Sequence, residues 1–118
     1  MIPELSHIKL LQKNKVVELV FDNNRTFSLP CEYLRVYSPS AEVRGHAGHD
    51  AVLESGKINV NIVGIEPVGN YALKLIFDDG HQTGIYSFEY LYELADRYHE
   101  KWQHYVEALS QAGLKREE

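Results

Sequence analysis

Hydrophobic and polar residues alternate along three stretches of this chain, and near its end apolar residues recur at helical spacing. Val16 to Phe21 reads as a strand, Asp22-Asn23-Asn24-Arg25 as a turn and Thr26 to Leu29 as the return strand, which predicts a hairpin closed by Pro30. Cys31 to Tyr37 is predicted to form a short helix, with proline just ahead of it and Leu34 facing inward. Ile58, Val60 and Ile62 place a strand at Lys57 to Ile62, and Ile65 to Val68 carries it toward Tyr71. Tyr71, Leu73, Leu75 and Phe77 then alternate with Ala72, Lys74 and Ile76, the period of two of a strand with one face on a core. Asp78-Asp79-Gly80 supplies the next turn, with Gly80 free to take a positive φ, and leaves His81 at the lip of the sheet. After a second strand, Ser87 is placed to cap the helix that Phe88 begins. From there Leu91, Leu94, Ala95, Tyr98, Trp102, Tyr105, Val106 and Leu109 recur every three or four residues, predicting one long helix that stops at Gly113. The charged end, Lys115 to Glu118, is expected to fray.

The predicted architecture is α+β: a small antiparallel-rich sheet built from hairpins and covered by one long C-terminal helix. Residues 1–118 are expected to make a single domain, large enough to bury a core without a disulfide or structural metal. Ser38 to Gly56 carries Pro39, Gly45, Gly48 and Gly56, has little periodicity and reads mostly as loop.

The formal net charge of -5 argues against a nucleic-acid binder, since phosphate contact relies on basic surface. Hydrophobic residues at 44% and charged residues at 25% are ordinary for a soluble globular chain. No apolar run approaches membrane-spanning length, so no membrane role is expected. A single cysteine, Cys31, and no signal peptide point to the cytoplasm.

Several ordered segments carry a family resemblance: Leu34-Arg35 followed by SPSAEV from Ser38 to Val43, the Gly56-Lys57 step, VGNYAL from Val68, and DGHQTGIYSFEYL from Asp79. Over most of its length the chain resembles the gamma-butyrobetaine hydroxylase-like N-terminal domain, formerly known only as a domain of unknown function. In length and in the form of its loop it is most similar to stand-alone bacterial members. The resemblance implies no oxygenase activity, because that chemistry belongs to a separate C-terminal domain. It also implies an accessory role, since related domains occur joined to oxygenases and to P-loop iron-sulfur carrier proteins. Members that bind zinc use three cysteines after the Leu-Arg pair together with the histidine of the DGH turn. The matching positions here are Ser38, Ser40 and Val43, which leaves His81 as the one competent ligand.

A different metal site remains open on paper, because His46, His49 and Asp50 share the loop and His81 could lie nearby. The alternative is that these are solvated or hydrogen-bonded side chains, with the His81 imidazole bonding a backbone group to fix its hairpin and Asp78 and Asp79 serving the turn. Cys31, near a helix start, could have a lowered pKa, or could be a small buried residue. Arg35 and Arg44 could meet an anionic ligand or a partner's carboxylates, or satisfy Glu32 and Glu42 locally. The surplus of aromatics from Tyr86 to Tyr105 suits a protein contact.

These readings converge on a non-enzymatic module that needs no cofactor and binds a protein partner in trans. Its expected contact residues are Arg35, Ser38, Ser40, Arg44 and Tyr86, in and beside the Ser38 to His49 loop. The alternative is a metal-binding accessory in iron or iron-sulfur handling, holding zinc or iron at His81, His46, His49 and Asp50. An enzyme in its own right would need a pocket around His81.

Overall fold

The computed structural model describes residues 3–39 and 53–117. Its strands are β1 (Leu5–Leu11), β2 (Val16–Phe21), β3 (Thr26–Pro30), β4 (Ile62–Val68), β5 (Ala72–Phe77) and β6 (Ile85–Ser87). The helices are α1 (Cys31–Val36), α2 (Phe88–Asp96) and α3 (Tyr98–Ala112). The strands form two antiparallel three-stranded sheets, β1-β2-β3 and β4-β5-β6, where the sequence suggested one. Both sheets share one core with α1 and α2, in which Val17, Leu19, Tyr33, Leu34, Ile62, Leu75, Tyr86 and Leu94 are completely buried. A second cluster joins Val36 to Tyr105 and Leu109 of α3.

The α+β class, the β2–β3 hairpin, α1 and the caps follow the sequence pattern. The Ser87 hydroxyl accepts from the Tyr90 backbone N–H at 3.0 Å, and Gly113 ends α3 in the left-handed conformation at φ 70°. The elements depart from the sequence pattern at four further points. Strand β1 escaped the periodicity because its register shifts between Leu5 and His7, which breaks the alternation. Lys57 to Asn61 makes no ladder; β4 begins at Ile62, and Ile58 instead donates its N–H to the Arg116 carbonyl. Tyr71 lies in the turn before β5 and is 60% exposed, so it does not share the core face of Leu73, Leu75 and Phe77.

The fourth concerns the C-terminal helix, which is two helices. At Arg97 (φ −107°, ψ 24°) the chain leaves helical geometry without losing the Arg97 N–H bond to Glu93. The bend lets Leu91, Leu94 and Ala95 fill the main core while Tyr105 and Leu109 fill the second cluster. Nor do all of the last residues fray. Arg116 makes a two-pronged pair with Glu32 on α1, at 2.9 and 2.8 Å, and its guanidinium lies 5.0 Å from the Trp102 ring centroid.

Glu32 is 4% exposed, so its carboxylate depends on that arginine. Arg116→Ala should lower unfolding free energy in urea by about 1.5–3 kcal/mol, the usual worth of a hydrogen bond to a charged group. The same substitution made in a Glu32→Gln background should cost clearly less, because no buried charge is then stranded.

Candidate functional site

Helix α1 presents every one of its six residues to the interior, including Glu32 and Arg35. A helix this short leaves most of its carbonyls without intrahelical partners. Tyrosine hydroxyls meet that need: Tyr86 donates to the Leu34 carbonyl at 2.5 Å and Tyr90 to the Tyr37 carbonyl at 2.6 Å. Tyr33 reaches out in the same way to Leu94, Tyr37 to Lys101 and Tyr105 to Glu54. Burial raises the pKa of the Tyr33, Tyr37, Tyr86 and Tyr105 phenols, Tyr105 to about 12, so these four remain donors across the physiological range.

Immediately after α1, the Ser38 hydroxyl lies 2.9 Å from His81 Nε2. Ser38 and His81 are 1% and 5% exposed. The His81 imidazole is therefore tied to a side chain 43 residues away. Its own backbone does fix the hairpin, accepting from the Phe77 N–H and donating to Asp79 Oδ1. Gly84 completes the joint. A Cβ there would run into the Ser38 hydroxyl and come within 3.1 Å of the Tyr86 ring, so the close approach requires glycine.

Arg35 lies beside this joint, 6% exposed. Its Nε donates to Asp79 Oδ2 at 2.9 Å, Lys57 Nζ reaches the same oxygen at 2.8 Å, and Glu54 lies 3.5 Å from the other side of the guanidinium. Burial alone would raise the Asp79 pKa, but the Lys57 hydrogen bond, the His81 N–H and Arg35 outweigh it and hold the carboxyl at about 2. Asp78 serves the neighbouring loop, accepting from the Asn61 N–H at 3.0 Å. The turn thus anchors α1 through ion pairs as well as through Ser38.

Of the candidate contact residues, Arg35 is committed to Asp79 and Glu54, Ser38 to His81, and Tyr86 is fully buried. All three are buried. Ser40 and Arg44 lie outside the described residues, as do His46, His49 and Asp50. Among the described residues there is no group of three or more His, Cys, Asp or Glu side chains that could hold a metal ion. The donor set does not fit the zinc site of the similar domains, since Ser38 offers a neutral hydroxyl and Val43 offers no donor. Cys31 is buried, and burial pushes its thiol up to about 11, opposite to the lowering that a helix start suggested.

One feature has no counterpart in the sequence reading. An open groove of about 380 Å³ is lined by Pro39, Tyr71, Ala72, Ile85, Ser87, Glu89, Tyr90 and Glu93. Tyr71 and Ile85 are 60% and 50% exposed. The available signal was the alternation of Ile85, Tyr86 and Ser87, which sends Ile85 outward whenever Tyr86 points into the core.

Fold and joint together define a small α+β domain organised around a buried histidine of a DGH turn. The chain belongs to the gamma-butyrobetaine hydroxylase-like N-terminal family, whose profile matches residues 8–92. Two NMR solution structures are similar to it over nearly its whole length. One is 45% identical with a TM-score of 0.85, covering 99% of this chain and 92% of that one. The other is 50% identical with a TM-score of 0.84, covering 97% and 85%. A crystal structure from Acidithiobacillus ferrooxidans, described as a protein of unknown function in the DUF971 family, is 34% identical with a TM-score of 0.61, covering 78% of this chain and 92% of that one. No protein of curated function matches. Among the described residues, no helix is long and apolar enough to cross a membrane.

Two outcomes are expected of the joint. Gly84→Ala should destabilise the fold by about 1–3 kcal/mol through overpacking, and Ser38→Ala added to it should return part of that loss in thermal melts. Asp79 has a folded pKa below its ordinary 3.8, so its contribution is present above that value and disappears as pH falls toward about 2. The loss of stability across this window should be smaller in Asp79→Asn than in the parent chain when urea midpoints are compared.

Proposed function

We propose that this domain is a non-enzymatic module that docks onto a protein partner in trans, in the cytoplasm. The observation carrying this reading is the groove beside β6, where Tyr71 and Ile85 expose large apolar side chains to the same recess. Most other aromatics are used internally: Tyr33 and Tyr86 are fully buried, and Tyr90 and Tyr37 are bonded to backbone carbonyls. Against that background, adjacent exposed anchors with a recess between them match the apolar centre and polar rim of a protein contact. Non-enzymatic action is supported by the joint itself, where Ser38 and His81 sit at nucleophile-to-base distance but are nearly closed to solvent. The cytoplasmic reading draws on a single buried, unpaired thiol.

The test is quantitative capture from the extract of the source cell, comparing the parent chain with Tyr71→Ser/Ile85→Ser. Both substitutions lie on exposed positions, so the variant should keep its fold by amide spectrum. A protein retained by the parent and lost from the variant is the expected result; equal retention by both would show that the groove is not the contact surface.

A further inference from the structure

The recess is made by a difference in side-chain size. Ala72 and Ser87 face each other in register across β5 and β6, and the large Tyr71 and Ile85 stand beside them. The Ser87 hydroxyl is occupied by the α2 cap, and the Tyr90 hydroxyl donates to the Tyr37 carbonyl, so the floor is held by bonds made for other reasons. A recess of about 380 Å³ has room for one or two apolar side chains.

Among the described residues that line it, the rim carries acidic side chains and no lysine or arginine. Glu89 and Glu93 lie four residues apart on α2, hence on one helical face, and both are exposed. Glu93 pairs with Lys101 only at 3.6 Å and its side chain is 52% exposed, so the contact is weak and leaves the carboxylate open to a second cation. Lys74, opposite Ile85 in register, lies 3.9 Å from Glu66. The chain as a whole carries a net charge of -5. A second copy would set acidic rim against acidic rim, and a nucleic acid or an anionic membrane would meet the same repulsion.

We propose that the groove takes a basic, apolar-anchored peptide segment of another protein, one that places an aliphatic or aromatic side chain between Tyr71 and Ile85 and a lysine or arginine against Glu89 and Glu93. This rests on the partner-binding reading above and deepens it by fixing the chemistry of the partner.

The test uses the full chain, isotope-labelled for amide spectra, and three synthetic peptides of about twelve residues. The first combines lysines with leucines, the second replaces its lysines with glutamates, and the third replaces its leucines with serines. The lysine-leucine peptide should shift Tyr71, Ile85 and Glu89 saturably, and the two controls should bind at least about tenfold more weakly. Charge reversal by Glu89→Lys/Glu93→Lys should weaken the first peptide by about tenfold or more and make the effect of added salt smaller. Equal binding of the acidic peptide, no saturable shift, or shifts confined to another face would overturn the inference. So would a concentration-dependent dimer lost in Tyr71→Ser, or through-space contacts in the free protein from Tyr71 and Ile85 to residues 40–52. Capture from extract separates the two failures. If the charge-reversed chain retains the same partner as the parent while Tyr71→Ser/Ile85→Ser loses it, the basic-partner inference falls and the partner-binding reading stands. If every variant captures alike, both fall.

Discussion

The rest of the structure depends on burying α1, a helix of six residues that puts one acid and one base into the interior. Neither charge can be left alone there, because an unpaired buried ion costs several kcal/mol. Glu32 is answered by Arg116, which brings the C-terminal tail across the second core cluster and explains why part of a charged tail is ordered. Arg35 is answered by Asp79 and Glu54, which draws the β5 turn onto the helix. The carbonyls of the same helix are answered by tyrosines from β6 and α2. Elements distant in sequence therefore meet at α1 because it cannot be buried without them.

That convergence constrains which side chains can turn outward. A side chain already holding α1 in place is a poor contact residue, since turning it outward would strand its buried partner. Arg35, Asp79, His81 and Tyr86 are all spent in this way. Surfaces away from α1 are not so constrained, and the outer face of β5 and β6 is one of them. There Ile85 points outward because Tyr86, next to it on a three-residue strand, points into the core.

The sequence made the β2–β3 hairpin, the β5 strand and the helix caps legible because each is governed by local chemistry: alternation, turn residues, one serine and one glycine. Other features depend on contacts over long sequence separations. A bulge hid β1, and the tail contacts with Gly56 and Ile58 explain why the alternating Lys57 to Ile62 segment is not a strand throughout. Nothing near Arg97 signals a break, because no glycine or proline stands there; the bend reflects two hydrophobic clusters that one straight stripe does not serve. The family resemblance placed Ser38 near His81, but the direct hydrogen bond between them depends on how α1 is buried. Glu32 and Arg35 within the apolar segment CEYLRV were the available hint that oppositely charged partners would be recruited from elsewhere.

The Ser38–His81 bond also bears on how far the resemblance to zinc-binding domains can be taken. The two positions that the resemblance pairs through a metal are here in direct contact, so the tie between the end of α1 and the DGH turn is made by a hydrogen bond. The hydroxyl and the imidazole meet at 2.9 Å, and Gly84 keeps the neighbouring backbone close enough to hold the pair. The mechanical connection does not require the ligand chemistry, given a core already built from both sheets, α1 and α2. The large exposed side chains on and beside β6, Tyr71 and Ile85, stand outside this set of contacts and line the recess next to Glu89 and Glu93.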